Sequence, residues 1–413
     1  MLLVAATILA AIIPLQAPAP AQTSQAGRLR VFLDCDCFQS YAREEVSFVD
    51  YVRDRESADV HVLGQSRETG GGGREYALRF VGAGRLAGTD LDLKAVTAPG
   101  DTEDARRRAV ASTLRVGFLA YLAKSGLPAH LDIQIDEDEQ VAPAAGISDP
   151  WNFWVYSVRA STELQAEESS REWNWQVSGS ADRVTRDWKL SFGGEVDQTI
   201  EKFDLDEDEP LTSRRHNREI NTLAVKSLGE HWSAGMLSET SSSSFENRKF
   251  QFGAAPAVEY NFFPYSAYTR RQLRAKYYVG PVYSRYYEVT LFDKLEETRV
   301  LHAAEITLDQ REPWGTLQAQ FEVQQYLPKA SQYRVEFNGD VSIRITRGLS
   351  VSIEGGASRI RDQISLPKRG ATSEEVLLRL RRLRSGFEYN FDVGFTYTFG
   401  SIFNNIVNPR FGS

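Results

Sequence analysis

From Trp151 to Gly400 the chain is built of long segments in which apolar and polar residues alternate. About twelve can be marked off, at 152–166, 172–185, 188–201, 216–228, 231–242, 248–262, 267–283, 298–310, 315–326, 332–346, 349–361 and 386–399. Successive side chains of a strand point to opposite faces, so each segment predicts a strand with one greasy and one polar face. Strands in soluble sheets usually run to about five or six residues. These are long enough to cross a bilayer on a tilt, which takes about 9–11 residues. In lipid every backbone group must be paired, and a closed sheet manages that without edges. The pattern predicts a mostly β chain whose C-terminal part, residues 151–400, is a transmembrane antiparallel β-barrel of about twelve strands.

The connections sharpen this expectation. Those after even-numbered segments are tight: TRD, GEH, PYSA, EPW and RG. Those after odd-numbered segments are longer and more polar, among them EESS, DLDEDEPLTSRR, SSSSFEN, LPKASQ and the stretch 362–385. Membrane barrels of the bacterial outer membrane pair short periplasmic turns with longer outer loops. An even strand count returns both barrel ends to the periplasmic side. Tryptophan gives a separate test. Trp151, Trp154, Trp188, Trp232 and Trp314 fall at or near the starts of odd segments, and Trp173 and Trp175 at the start of the second. This is the placing of two interfacial girdles. A sandwich core would put Trp in strand centres.

The last segment, FDVGFTYTFG, carries a further pattern. Asp392, Gly394, Tyr397 and Phe399 stand where the C-terminal assembly signal of outer-membrane barrels has a polar residue, Gly and two aromatics, and the stretch resembles that signal. The resemblance implies insertion by the barrel assembly machinery and closure of the last strand against the first. The usual signal ends the chain, whereas here a tail, 401–413, follows and is expected in the periplasm. The barrel part also resembles the DUF481-like outer-membrane group through TRRQLRAKY (269–277), EPWGTL (312–317), SRIRDQISLPK (358–368) and YTFGSIFNNIVNPRF (397–411). That implies fold and location, and no activity.

Ahead of the alternating region lie three other pieces. MLLVAATILAAIIPLQ is apolar but shorter than the roughly 20 residues of a spanning helix. With Ala19-Pro20-Ala21 behind it, it reads as a signal peptide, 1–21, cleaved before Gln22, although it opens without Lys or Arg. Residues 22–135 read as a small periplasmic α/β domain. Its expected strands are 29–35, 58–66, 74–82, 90–97 and 130–135, with a short helix at 46–55 and a long one from Glu103 to Lys124. In element order, and in VRDRESADVHVLGQ, it resembles the N-terminal domain of TolB. Residues 136–150 are an acidic, Pro-containing linker.

A net charge of −8 lacks the basic footprint of nucleic-acid binders, so no nucleic-acid partner is expected. The five histidines, His61, His130, His216, His231 and His302, show no metal spacing, and no GxSxG or P-loop occurs. Neither a catalytic site, a cofactor nor a metal is expected, and the chain is not read as an enzyme. Cys35 and Cys37 can be a redox or metal pair, or simply two small residues at a strand end. DLDEDE (204–209) reads as a solvated acidic loop, or as a holder of divalent cations shared with lipopolysaccharide. Thr372 and Glu375 can form a capping box ahead of VLLRLRRLR, which fits a basic amphipathic helix or a Leu/Arg strand.

Alternation also assigns the polar face. Arg270, Gln272, Arg274 and Lys276 face inward, as do Arg334, Glu336, Asn338, Asp340 and Arg344. Glu195, Asp197, Glu259, Glu305, Glu322, Glu354 and Glu388 join them. Such a lining can set the solute preference of a water-filled pore, or pair its charges and close the lumen. The expected function is passage of small solutes or ions, with the periplasmic domain as an accessory. The alternative is a scaffold barrel whose domain binds an envelope protein, and the third an enzyme acting on lipid or peptide. Outer-membrane lipid and lipopolysaccharide are the expected surroundings.

Overall fold

The computed structural model describes residues 28–35, 37–70, 72–125, 149–203, 211–370 and 383–401, which form two sheets. The first belongs to a small α/β unit. Its elements are β1 (Arg30–Cys35), α1 (Gln39–Glu45), β2 (Asp50–Tyr51), β3 (Val60–Glu68), β4 (Arg74–Gly82), β5 (Asp90–Thr97) and α2 (Glu103–Ser125). The sheet order is β2-β1-β3-β4-β5. β1 runs parallel to β2 and β3, and β3, β4 and β5 form an antiparallel meander.

Alternation divides this sheet into two unlike faces. Leu33, Val62, Tyr76, Leu78 and Phe80 lie on the face covered by the helices. α2 meets them with Val110, Leu114, Phe118 and Tyr121, spaced three or four residues apart along one stripe. Phe118 packs edge-on to Phe80 with ring centroids 5.5 Å apart. The buried Tyr121 hydroxyl sits 2.6 Å from the Thr89 carbonyl oxygen, which satisfies its polar end. Phe118→Ala should cost the unit about 3–5 kcal/mol, the usual loss for a buried Phe. Pulse proteolysis of the full chain in urea would show this as an earlier cleavage midpoint. The opposite face carries Asp34, His61, Gln65, Arg67, Glu75 and Lys94, and among the described residues no helix covers it.

The helix expected at 46–55 does not form. Tyr51 and Val52 are buried in extended chain instead, and Val46 and Val49 are buried in the turn that leads into it. Asp50 N–H donates to Leu29 O and Val52 N–H to Val31 O, which lays the segment beside β1. Its β-branched residues suit that pairing. The helix lies earlier, at Gln39–Glu45, after a left-handed residue at Phe38. The other expected strands and the long helix stand where the pattern put them. The strand expected at 130–135, the signal peptide 1–21, most of the linker 136–150 and the tail beyond Ser401 lie outside the described residues.

The second sheet has twelve antiparallel strands. They are β6 (Trp154–Ala166), β7 (Ser170–Val184), β8 (Trp188–Phe203), β9 (Leu211–Ser227), β10 (Trp232–Ser243), β11 (Arg248–Asn261), β12 (Arg271–Tyr286), β13 (Glu296–Glu312), β14 (Gly315–Leu327), β15 (Tyr333–Thr346), β16 (Leu349–Ile360) and β17 (Phe387–Tyr397). Each pairs with its neighbours in sequence, as a meander does. The sheet is strongly curled: Ser191 on β8 and Arg334 on β15 line one cavity. Its concave face is the polar one. Its convex face is apolar and exposed, as at Val158, Phe192, Met236, Tyr277, Ile306, Phe321 and Phe395.

One expectation fails. β17 does not pair with β6; among the described residues each has a single partner, and both are exposed along their length. Every other pair is positioned by a turn that joins its two strands. The closing pair has no turn, and alternation alone sets no register for it.

Candidate functional site

The site is the space inside the curl. Its wall is a set of cross-strand rows. Lys276, Glu305, Glu322, Glu336, Ser358 and Glu388 are successive partners across β12 to β17. Four residues nearer the short-turn end, Asp309, Gln318, Asp340, Glu354 and Asp392 form a second row. Like charges opposite one another destabilise a sheet. Cations relieve the first row: Lys276 pairs with Glu305 at 2.8 Å and Arg334 with Glu336 at 3.0 Å. Arg274 lies 3.8 Å from Glu259, and Tyr278 donates to Glu322 at 3.2 Å. In the second row Asp340, Glu354 and Asp392 make no ion pair among the described residues.

Two cavities lie between these walls. One of about 510 Å³ is lined by Glu239, Arg248, Gln251, Tyr278, Tyr286, Gln324 and Arg334. The other, of about 940 Å³, is lined by Lys189, Ser233, Glu259, Tyr265, Arg274 and Lys276. Polar side chains on opposite walls leave room for water and small solutes.

The long-loop end is crossed by a strap, residues 362–368. Asp362 accepts hydrogen bonds from Arg334 at 2.9 Å and Gln324 at 3.2 Å. Ile364 and Leu366 of the strap are buried. Leu291 N–H donates to Leu366 O, and Lys368 N–H to Val289 O. Asn247 clasps the crossing: its amide donates to Glu288 O at 3.0 Å and Ser365 O at 2.8 Å.

The short-turn end is covered by the α/β unit, whose helix-free face is turned toward it. Arg344 reaches from β15 to Asp34 at 2.5 Å, and Asp34 also meets His61 at 3.2 Å. Arg347 binds Asp54 at 3.2 Å. Arg67 binds Asp309 at 3.1 Å, and Arg311 donates to Gly64 O. Lys94 donates to the Tyr268 hydroxyl at 2.6 Å. The β3–β4 hairpin tip reaches β7, where a Cβ on Gly70 would lie 2.1 Å from Val184 Cβ, so only glycine permits this approach. Gly72 turns the tip with φ +75°. Contacts on the turns before β8, β12, β14 and β16 place the unit across the opening.

Burial alone would raise the Asp34 carboxyl. The hydrogen bond with His61 and the Arg344 charge outweigh it and hold the group below its ordinary range. Asp54 follows the same pattern: burial opposes, and Arg53 and Arg347 prevail.

The residues singled out from the sequence fall as follows. Arg274, Lys276, Glu322, Arg334, Glu336 and Asp340 are on the concave wall. Arg270 pairs with Glu312 at 2.7 Å on the short-turn rim. Arg344 leaves the wall for the α/β unit, and Glu388 is exposed on the unpaired edge strand. Trp151, Trp154, Trp188, Trp232 and Trp314 lie at the short-turn end; Trp173 and Trp175 lie near the long-loop end of β7. Asp392, Gly394 and Tyr397 lie in β17, with Phe399 just beyond it. Cys35 and Cys37 are joined in a disulfide and buried. The acidic loop 204–209 and the segment with Thr372 and Glu375 lie outside the described residues. The strap, its Asn247 clasp and the docking pairs were not legible beforehand: they join residues far apart in sequence and follow no period.

No family model matches the chain, and no curated protein matches it. The resemblances to the DUF481-like group and to TolB therefore gain no support from these comparisons. Among solved structures the chain is similar to the NanC porin, at 9% identity and TM-score 0.28, over 60% of this chain and 99% of that one. It is similar to the beta domain of the Bordetella autotransporter BrkA, at 12% identity and TM-score 0.25, over 59% and 98%. It is also similar to the translocator domain of the autotransporter NalP from Neisseria meningitidis, at 12% and 0.16, over 59% and 81%. At these values the likenesses decide neither activity nor substrate.

Proposed function

We propose that this chain is an integral outer-membrane β-barrel that passes small solutes or ions, with a lumen shut at rest by the α/β unit on the periplasmic side and narrowed by the strap on the outer side. The observation that carries the reading is the polar interior. Two cavities lie behind a wall of charged and amide side chains, while the convex face exposes large apolar side chains such as Val158, Phe192, Ile306, Phe321 and Phe395. Such a molecule needs lipid outside and water inside. In lipid the free edges of β6 and β17 must pair, since unpaired backbone there costs several kcal/mol per group. The two edges run antiparallel, as the pairing requires. Full-length protein in a planar bilayer should show discrete, infrequent conductance steps. A bilayer that stays silent while the protein is inserted would refute passage.

The wall also implies a preference. Asp340, Glu354 and Asp392 form an acidic stripe at mid-height of the wall. A ring of carboxylates favours cations. In a salt gradient, Glu354→Gln with Asp392→Asn should move the reversal potential toward zero. An unchanged potential would place the selective step elsewhere.

The docked unit supports a second reading, a scaffold barrel permanently closed by its own domain. That reading predicts no conductance even when the docking pairs are removed.

A further inference from the structure

We infer that the outward rim of β7–β9 at the long-loop end is a docking surface for the phosphates of an anionic lipid headgroup. The inference rests on the reading of the convex face as lipid-facing. Arg171, Lys202, Arg214 and Arg218 all stand on that face and all are exposed. Arg171 and Lys202 are direct cross-strand partners, an opposition of like charges that costs the sheet stability. None of the four side chains makes a hydrogen bond or ion pair among the described residues. By alternation, the outward positions of β6–β10 among the described residues hold no Asp or Glu to offset them; the acidic stretch 204–209 between β8 and β9 lies outside those residues.

Their height names the occupant. Trp173 is the partner of Ile200, and Ile200 that of Arg214, so a tryptophan of the outer girdle and a guanidinium share one level. Indole rings favour the headgroup zone of a membrane. Toward the strand centres the same face turns apolar, with Val177, Phe192 and Ile220 exposed. Arg171, Lys202 and Arg214 stand at the level where lipid tails give way to headgroups, and Arg218, four residues deeper in the row of Val196 and Val177, can extend its long side chain toward it, an arrangement that suits phosphates. Guanidinium groups bind phosphate oxygens in pairs, with fixed geometry.

The test uses full-length protein in dodecyl maltoside micelles, titrated with bis-phosphorylated lipid A and followed by intrinsic tryptophan fluorescence. Arg214→Gln with Arg218→Gln should weaken binding about tenfold or more, given the contribution of each basic side chain at an anionic lipid surface. Raised salt should weaken wild-type binding in the same direction. Lys226→Gln, on the same face of β9 at its other end, should bind like wild type. Arg171→Gln with Lys202→Gln gives a second, independent pair with the same expected loss. Equal binding by wild type and both paired variants overturns the inference, as does an equal loss in Lys226→Gln. Full displacement by millimolar inorganic phosphate would mark a free-phosphate site and overturn it too. Heat-modifiable gel migration of the same samples tests the barrel separately, so failure of that reading is distinguished from failure of the lipid site.

Discussion

Replacing Arg344 and Arg67 with alanine should turn a mostly shut protein into a conducting one. These two side chains hold the α/β unit against the sheet from opposite partners, Arg344 reaching Asp34 and Arg67 reaching Asp309. Hydrogen bonds between charged groups contribute about 1.5–3 kcal/mol each, and partial solvent exposure reduces that. A combined loss of about 2–4 kcal/mol is expected, which is roughly 30- to 1,000-fold in the ratio of uncapped to capped protein. Single-channel recording would read this as a rise in open probability with unchanged step size. Acid should act in the same direction. His61, in the same unit, and then Arg344 hold the Asp34 carboxyl below its ordinary value; only the Arg344 share is lost on undocking, so docking is favoured above the undocked value and weakens as pH falls through the docked one. Asp54 adds the same dependence through Arg347. Asp34→Asn should blunt the acid response and raise opening at neutral pH. If the double variant stays as silent as wild type, the unit is no gate and the scaffold reading stands.

An arginine in the middle of the convex face should be costly. Ile306 is exposed there and forms a row with Ala275, Phe321, Phe337, Ala357 and Tyr389. In a bilayer, Ile306→Arg should cost about 2–4 kcal/mol at mid-depth. On a water-exposed sheet the change would cost almost nothing. Thr307→Arg, one residue along and facing the lumen, should be tolerated. Folding yields into lipid vesicles, compared for the two variants, would show the difference.

The parts of this architecture that were legible in advance are the local ones. Strand positions from β6 to β17 follow from period-two alternation, and their connections from turn chemistry, both carried within a few residues. The covered faces of β3, β4 and α2 are legible for the same reason. The helix expected at 46–55 fails because Val49, Tyr51 and Val52 find a partner in β1, a tertiary contact that overrides local pattern. Long-range features were hidden. Asp34 and Arg344 are 310 residues apart, and each looks like an ordinary surface charge. The strap from Asp362 to Lys368 has no periodicity, since a segment that crosses a mouth repeats nothing. The last pair, β6 with β17, has no turn to announce it. The polar row ending in Glu388 and Asp392 was visible as a row of charges, but its balance of paired and unpaired members depends on register.

The central claim is that the convex face lies in lipid and the concave face in water. Spin labels placed one at a time at Ala304, Glu305, Ile306, Thr307 and Leu308 of reconstituted protein test it most directly. Cys35 and Cys37 are joined to each other and leave no competing thiol among the described residues. Labels at 304, 306 and 308 should be reached by oxygen and shielded from a water-soluble nickel complex, with the opposite result at 305 and 307. Uniform access of the nickel complex to all five positions would contradict the account.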